Sequence, residues 1–234
     1  HMICHAARMR HRTRGRLSCP MVLRAPFGGG IHAPEHHSES TEALFAHMPG
    51  LRVVIPSSPS RAYGLLLAAI RDPDPVVFLE PKRIYRLNKE EVEDNGEDLP
   101  LDVCYVLRDG TDLTLVTWGA MVKDTLEAAD KLAEQGVSAE VIDGATISPL
   151  DMATLIESVE KTGRCVIVHE AARMCGVGAE IAAGLADAGL YHLYAPVKRV
   201  TGYDSVMPLY KMEMKYMPSV QRILNAVNEV MEVS

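Results

Sequence analysis

The sequence predicts an α/β protein built on parallel sheets, in two units joined by an acidic linker, and three observations carry that reading. Short aliphatic runs alternate with helix-forming stretches along most of the 234 residues. Aromatics make up only 5% of the chain, so the cores have to be aliphatic, as strands buried on both faces usually are. Between Pro81 and Pro100 the alternation stops, and Glu90, Glu91, Glu93, Asp94, Glu97 and Asp98 crowd around Asn95-Gly96 with no apolar period, which reads as a solvated, mobile linker.

The elements follow in order. Leu17 to Arg24 suits a buried strand that delivers the chain into a glycine run, and Thr41 to Met48 suits a helix with Ser40 as its N-cap. Leu51 to Pro56 reads as a strand, Ser57 to Arg71 as a helix and Val76 to Glu80 as the next strand. Beyond the linker, Cys104 to Leu107 and Leu113 to Trp118 flank Asp109-Gly110, a hairpin-like turn signal. A helix from Ala120 to Gln135 closed by Gly136, a strand over 139–143, a helix over 150–161 and a strand over 165–169 come next. A helix over 178–188, a strand over 197–201 and a last helix from about Ser219 to Val230 complete the alternation.

Composition narrows the function. A net charge of −7 opposes general nucleic-acid binding, which needs surplus cations. The exception is Arg8-Met-Arg-His-Arg-Thr-Arg-Gly-Arg16, whose alternate arginines would line one face of an extended strand, solvated or turned to another subunit, an acidic partner or an anionic cofactor. Cys4, Cys19, Cys104, Cys165 and Cys175 include no Cys-x-x-Cys pair, so reduced thiols are expected. No run approaches the ~20 apolar residues that span a bilayer, which points to cytosol or an organelle matrix.

The stretch richest in chemistry is Ala25-Pro-Phe-Gly-Gly-Gly-Ile-His-Ala-Pro-Glu-His-His-Ser-Glu-Ser40. Its glycines let the backbone turn sharply or approach a ligand, and His32, His36 and His37 titrate near neutrality. Taken alone, His37 reads more readily as a loop histidine that merely hydrogen-bonds its surroundings, since one loop histidine is a weak signal for catalysis. The His-x3-His-His spacing admits zinc, but only Glu35 and Glu39 stand near as further ligands. Asp72-Pro-Asp-Pro75 is a tight turn, Asp204 suits a turn-fixing role, and Gly176-Val-Gly178 before a helix is a weak anion-site signal.

Several motifs in one order carry a resemblance: Arg24-Ala-Pro-Phe-Gly-Gly-Gly, His37-Ser-Glu-Ser, Pro49 to Pro56, Asp72 to Lys82, Ser148-Pro-Leu-Asp, His169-Glu and Val200-Thr-Gly-Tyr-Asp. Over nearly its whole length the chain resembles the β subunit of the thiamin diphosphate-dependent decarboxylase component of 2-oxo acid dehydrogenase complexes. The resemblance implies the later part of a pyrimidine-binding, transketolase-like domain over 3–82, the acidic linker over 83–100, and a transketolase C-terminal-like domain over 101–234. It implies oxidative decarboxylation of a 2-oxo acid on thiamin diphosphate and magnesium shared with an α subunit, then reductive acylation of a lipoyl group on a dihydrolipoyl acyltransferase. His37 matches the family's active-site histidine, where an imidazolium can protonate the leaving lipoyl sulfur. The turn at Asp72 matches a potassium site, implicating backbone oxygens of Ala69, Asp72 and Asp74 opposite Cys19, Met21 and Val22.

His169-Glu170 corresponds to a region of subunit pairing, with self-association through the C-terminal domain. The sequence departs from the family at Glu39, at Ala172 and over Ile31 to His36. The glutamate that activates the aminopyrimidine ring has no counterpart here and belongs to an earlier segment of the family. The first sheet is therefore expected to expose strand edges, and the chain to be inactive in isolation. Glu80-Pro-Lys-Arg-Ile-Tyr-Arg86 looks most like branched-chain 2-oxo acid members, with pyruvate or acetoin the alternatives. The family setting is the cytoplasm of a bacterium or archaeon, or a mitochondrial matrix. A non-catalytic module that dimerises and docks the acyltransferase core is the competing reading, and a transketolase-type synthase a third.

Overall fold

Two sheets organise the computed structural model, which describes residues 1–87 and 89–233. Asn88, inside the expected linker, and Ser234, at the end of the expected second domain, lie outside the described residues. The first sheet uses β1 (Val22–Phe27), β2 (Arg52–Val54), β3 (Val76–Pro81) and β7 (Thr146–Ser148) in the order β1-β3-β2-β7. The second uses β4 (Tyr105–Arg108), β5 (Leu113–Thr117), β6 (Ala139–Asp143), β8 (Cys165–Ala172) and β9 (Lys198–Gly202) in the order β4-β6-β5-β8-β9. Pairing is parallel except where β7 meets β2 and β4 meets β6. Every residue of β5 and β6 is buried, as expected of strands covered on both faces.

The helices are α1 (Met9–Arg12), α2 (Glu42–Ala46), α3 (Pro59–Arg71), α4 (Met121–Glu134), α5 (Met152–Thr162), α6 (Val177–Gly189), α7 (Tyr210–Tyr216) and α8 (Val220–Met231). Their ends are written in the sequence. Ser58 and Ser219 accept backbone N–H bonds at the starts of α3 and α8, Asp151 does so for α5, and left-handed Gly163 closes α5. One core takes Phe27, Val53, Ile55 and Leu79 from the first sheet together with Val116, Trp118, Ile142 and Ile167 from the second. Among the described residues no helix is long and apolar enough to cross a membrane.

Four expectations need correction. The arginine run is not extended: it is helical over Met9–Arg12, where Arg and Met are good helix formers, and then turns through left-handed Arg14 and Gly15. Arg10 leaves it to bind Asp74 at 2.8 Å. The Asp109-Gly110 hairpin does not form, because β6 inserts between β4 and β5. Ser40 does not cap α2; Thr41 stands at the N-cap without a side-chain bond, and the hydroxyl of Ser40 has no partner. The linker is exposed but tethered along α3, where Tyr63 donates to Asp94 at 2.7 Å, Arg71 to Asp98 at 2.6 Å, and Leu99 packs on Gly64.

Candidate functional site

The loop that leaves β1 is held by two buried carboxylates from the second half of the chain. Gly29 N–H donates to Glu170 Oε2 at 2.9 Å, and Glu170, on β8, is 3% exposed. Glu213, on α7 and 1% exposed, accepts from Gly30 N–H at 2.8 Å and Ile31 N–H at 3.3 Å through Oε1, and from His32 N–H at 3.0 Å through Oε2. Glycine is required at Gly28, where φ is +80° and a Cβ would stand 2.6 Å from Glu170 Oε1. Gly28 N–H reaches Glu39 O at 3.1 Å, which closes the base of the loop.

The three histidines ride on this loop. His32 is left-handed, with φ +59°, and its Nε2 lies 4.0 Å from Glu213 Oε2. His36 and His37 belong to a single 3-10 turn, with their rings 4.1 Å apart, and both are exposed. Lys82 Nζ donates to the His37 carbonyl, while Ser38 beyond it is fully buried. Burial lowers the Lys82 pKa, against the pull of Glu170 and Glu213. The His37 backbone is thus fixed while its imidazole stays accessible.

Beneath the loop lies a buried polar layer. Burial raises the pKa of Glu42 to about 8, against the pull of its own backbone amide and the Trp118 side chain. Glu170 is pushed up to about 7, again by burial, with the Gly29 amide opposing. His169 is held down to about 4 by burial, its ring stacked on Trp118 at 5.1 Å. The side chains of His169 and Glu170 are not themselves exposed to a partner: both point into the chain, one onto Trp118 and the other onto the glycine loop. A cavity of about 230 Å³ opens beside the loop, lined by Ser38, Ser40, Glu170, Ser205, Met207 and Tyr216.

With that geometry in view, the comparisons are specific. Residues 1–88 match the model of the transketolase pyrimidine binding domain, and residues 103–223 that of the transketolase C-terminal domain. The chain is 47% identical over 226 residues to the pyruvate dehydrogenase E1 component subunit beta of Bacillus subtilis, covering 97% of this chain and 70% of that protein. It is 48% identical over 222 residues to the same subunit of Acholeplasma laidlawii, covering 95% and 68%. The chain belongs to the family of 2-oxo acid dehydrogenase E1 β subunits. A solved structure described as a split gene transketolase, inactive beta4 tetramer, has the same fold, with TM-score 0.76 and 25% identity over 97% of this chain and 74% of that one. The family is thiamin diphosphate-dependent.

Within this family frame the other expected residues fall as follows. Cys19, Met21 and Val22 do lie against the Asp72 turn: Cys19 N–H donates to Pro73 O at 3.2 Å, Val76 N–H to Met21 O at 3.0 Å, and Val22 pairs with Val76. Ala69 is buried on α3. The carboxylates of Asp72 and Asp74 are occupied by Arg52 at 3.0 Å and Arg10 at 2.8 Å. Among the described residues no group of three or more His, Cys, Asp or Glu side chains is arranged to hold a metal, His32, His36 and His37 included. Asp204 fixes a turn, accepting Met174 N–H at 2.7 Å, and Gly176 and Gly178 serve close packing on His169.

Sequence reasoning missed Glu42 and Glu213, and the hold of Glu170 on the glycine loop. The available signal for Glu213 was its setting, an acid between Met212 and Met214 ahead of Tyr216-Met217, in a stretch to which no element was assigned.

Proposed function

We propose that this chain is the β half of a 2-oxo acid decarboxylase that acts on pyruvate, and that His37 is its proton donor in the transfer to lipoyl. The carrying observation is the loop closed between Gly28 and Glu39, whose backbone is held by Glu170, Glu213 and Lys82 while the His37 side chain is exposed. A group that must meet a large, moving lipoyl domain needs this combination of fixed backbone and open imidazole.

The residues present fit a supporting share of a thiamin diphosphate site. Glu170 and Glu213 spend their carboxylates on loop amides, and Glu42 is sealed, which leaves the cofactor's aminopyrimidine, diphosphate and magnesium to groups outside these residues. When bound, thiamin diphosphate supplies the carbon nucleophile on which the 2-oxo acid loses CO2. In the transfer that follows, the acyl group would pass to one lipoyl sulfur, its bond to the cofactor being released and the lipoyl S–S bond broken. His37 delivers its proton to the departing sulfur, leaving a thiol and a neutral imidazole.

The α subunit supplies the rest of the site, the lipoyl group arrives on the acyltransferase, and the setting is cytoplasmic. A potassium ion at the Asp72 turn would rest on main-chain oxygens there and brace the β1–β3 edge. Pyruvate is favoured by the bacterial relatives, whereas Glu80-Pro-Lys-Arg-Ile-Tyr-Arg86 favours a branched-chain acid.

The test separates two partial reactions of the α/β complex. His37→Ala should cut reductive acylation of a lipoyl domain at least 100-fold, on the scale of a lost general acid, while decarboxylation coupled to an artificial oxidant persists. Equal acylation by both proteins would sink the assignment. A second reading, a β chain that assembles without chemistry, takes support from the structural neighbour described as an inactive β4 tetramer.

A further inference from the structure

Resting on the reading of His37 above, we propose that Glu213 is a positioning residue for the lipoyl step, fixing the limb of the loop that leads to His37. Three successive amides, those of Gly30, Ile31 and His32, converge on its one carboxylate at 2.8, 3.3 and 3.0 Å. A glutamate that is 1% exposed and spends both oxygens on the backbone of a segment some 180 residues away is poorly explained as surface charge. His32 shows what the bond does locally, because a non-glycine residue at φ +59° persists only where its surroundings over-determine it.

Arg83 packs against Gly30 and Tyr210 lies edge-on to the His32 ring, while the remaining hydrogen bonds of the loop fall on neighbouring residues. Gly28 and Glu39 close the base of the loop, Glu170 holds Gly29, and Lys82 holds the His37 carbonyl. Glu213 takes the amide bonds of residues 30–32, and without it the freedom of Gly30 passes on to the histidines. Displacement of a reacting group by about 1 Å is enough to cost about 100-fold.

Glu213→Gln keeps the size of the side chain but turns an NH2 group toward amide donors. In the α/β complex with thiamin diphosphate and magnesium, it should lower kcat for lipoyl-domain acylation by about 10- to 100-fold. Decarboxylation coupled to an artificial oxidant and the KM for the oxo acid should change less than threefold, and adding Glu213→Gln to His37→Ala should cost nothing further.

Undiminished acylation by Glu213→Gln, with His37→Ala impaired, would overturn the proposal alone. Equal loss of both partial reactions would reduce Glu213 to a structural role and overturn it too. Normal acylation by His37→Ala would remove the reading on which it rests. Should the Glu213 variant fail to assemble, Gly30→Ala disturbs the same limb from the opposite side, since its Cβ would stand 2.7 Å from Arg83 Cδ. It should show the same selective loss, and unimpaired acylation by Gly30→Ala contradicts the proposal.

Discussion

At the scale of single residues, the molecule holds carboxylates where water cannot reach them. Glu42 at about 8, and Glu170 and Asp143 at about 7, all owe their raised pKa values chiefly to burial. The native state therefore binds more protons than the unfolded chain between about pH 4.5 and 8, and stability falls as pH rises through that window. Each group contributes a slope of up to about 1.4 kcal/mol per pH unit. His169, lowered to about 4, acts in the opposite sense: its contribution is lost as pH falls from 6.5 toward 4. Glu42→Gln should raise the denaturant midpoint at pH 9 and leave it nearly unchanged at pH 5. A wild-type midpoint that stays flat from pH 6 to 9 would contradict this.

His37 could be singled out from the sequence because the family motif His37-Ser-Glu-Ser fixes a side-chain type at one position. Glu213 and Glu170 could not, because their partners are backbone amides, which any residue supplies, and the contacts form only once two distant segments meet.

At the scale of elements, the strands and helices that the sequence made visible are those with a local reason to exist. The Ser58, Asp151 and Ser219 caps and the aliphatic runs of β3, β5, β6 and β8 belong to this class. Where local signal and global pairing conflicted, pairing won. Asp109-Gly110 has the composition of a hairpin turn, yet Gly110 is needed because the start of β6 passes against it; a Cβ there would stand 2.1 Å from Glu140 N. Gly110→Ala should cost roughly 1–3 kcal/mol in urea unfolding as an overpacking change, whereas a glycine serving only a solvent-exposed hairpin would tolerate it. Strand β7 was missed because three residues carry too little pattern, and its role, pairing antiparallel with β2, is a tertiary one.

At the scale of the whole molecule, the two sheets are bound into one body in three ways. Residues of the second half enter the first sheet as β7, a single core spans both sheets, and Glu170 and Glu213 reach across to the glycine loop. The resemblance indicated an α/β protein of two transketolase-like parts, and the family matches bear that architecture out. The choice of oxo acid was not legible in the same way, because the motif at Glu80 to Arg86 and the named relatives point to different acids.

The most direct measurement is thiamin diphosphate- and magnesium-dependent CO2 release by this chain assembled with a matching α subunit, with pyruvate set against 3-methyl-2-oxobutanoate. Turnover that requires both chains and favours pyruvate by kcat/KM is the predicted result. A complex that assembles and turns over neither acid, yet becomes active when a β chain of the relatives' full length replaces this one, would contradict it and leave these residues as an assembly module.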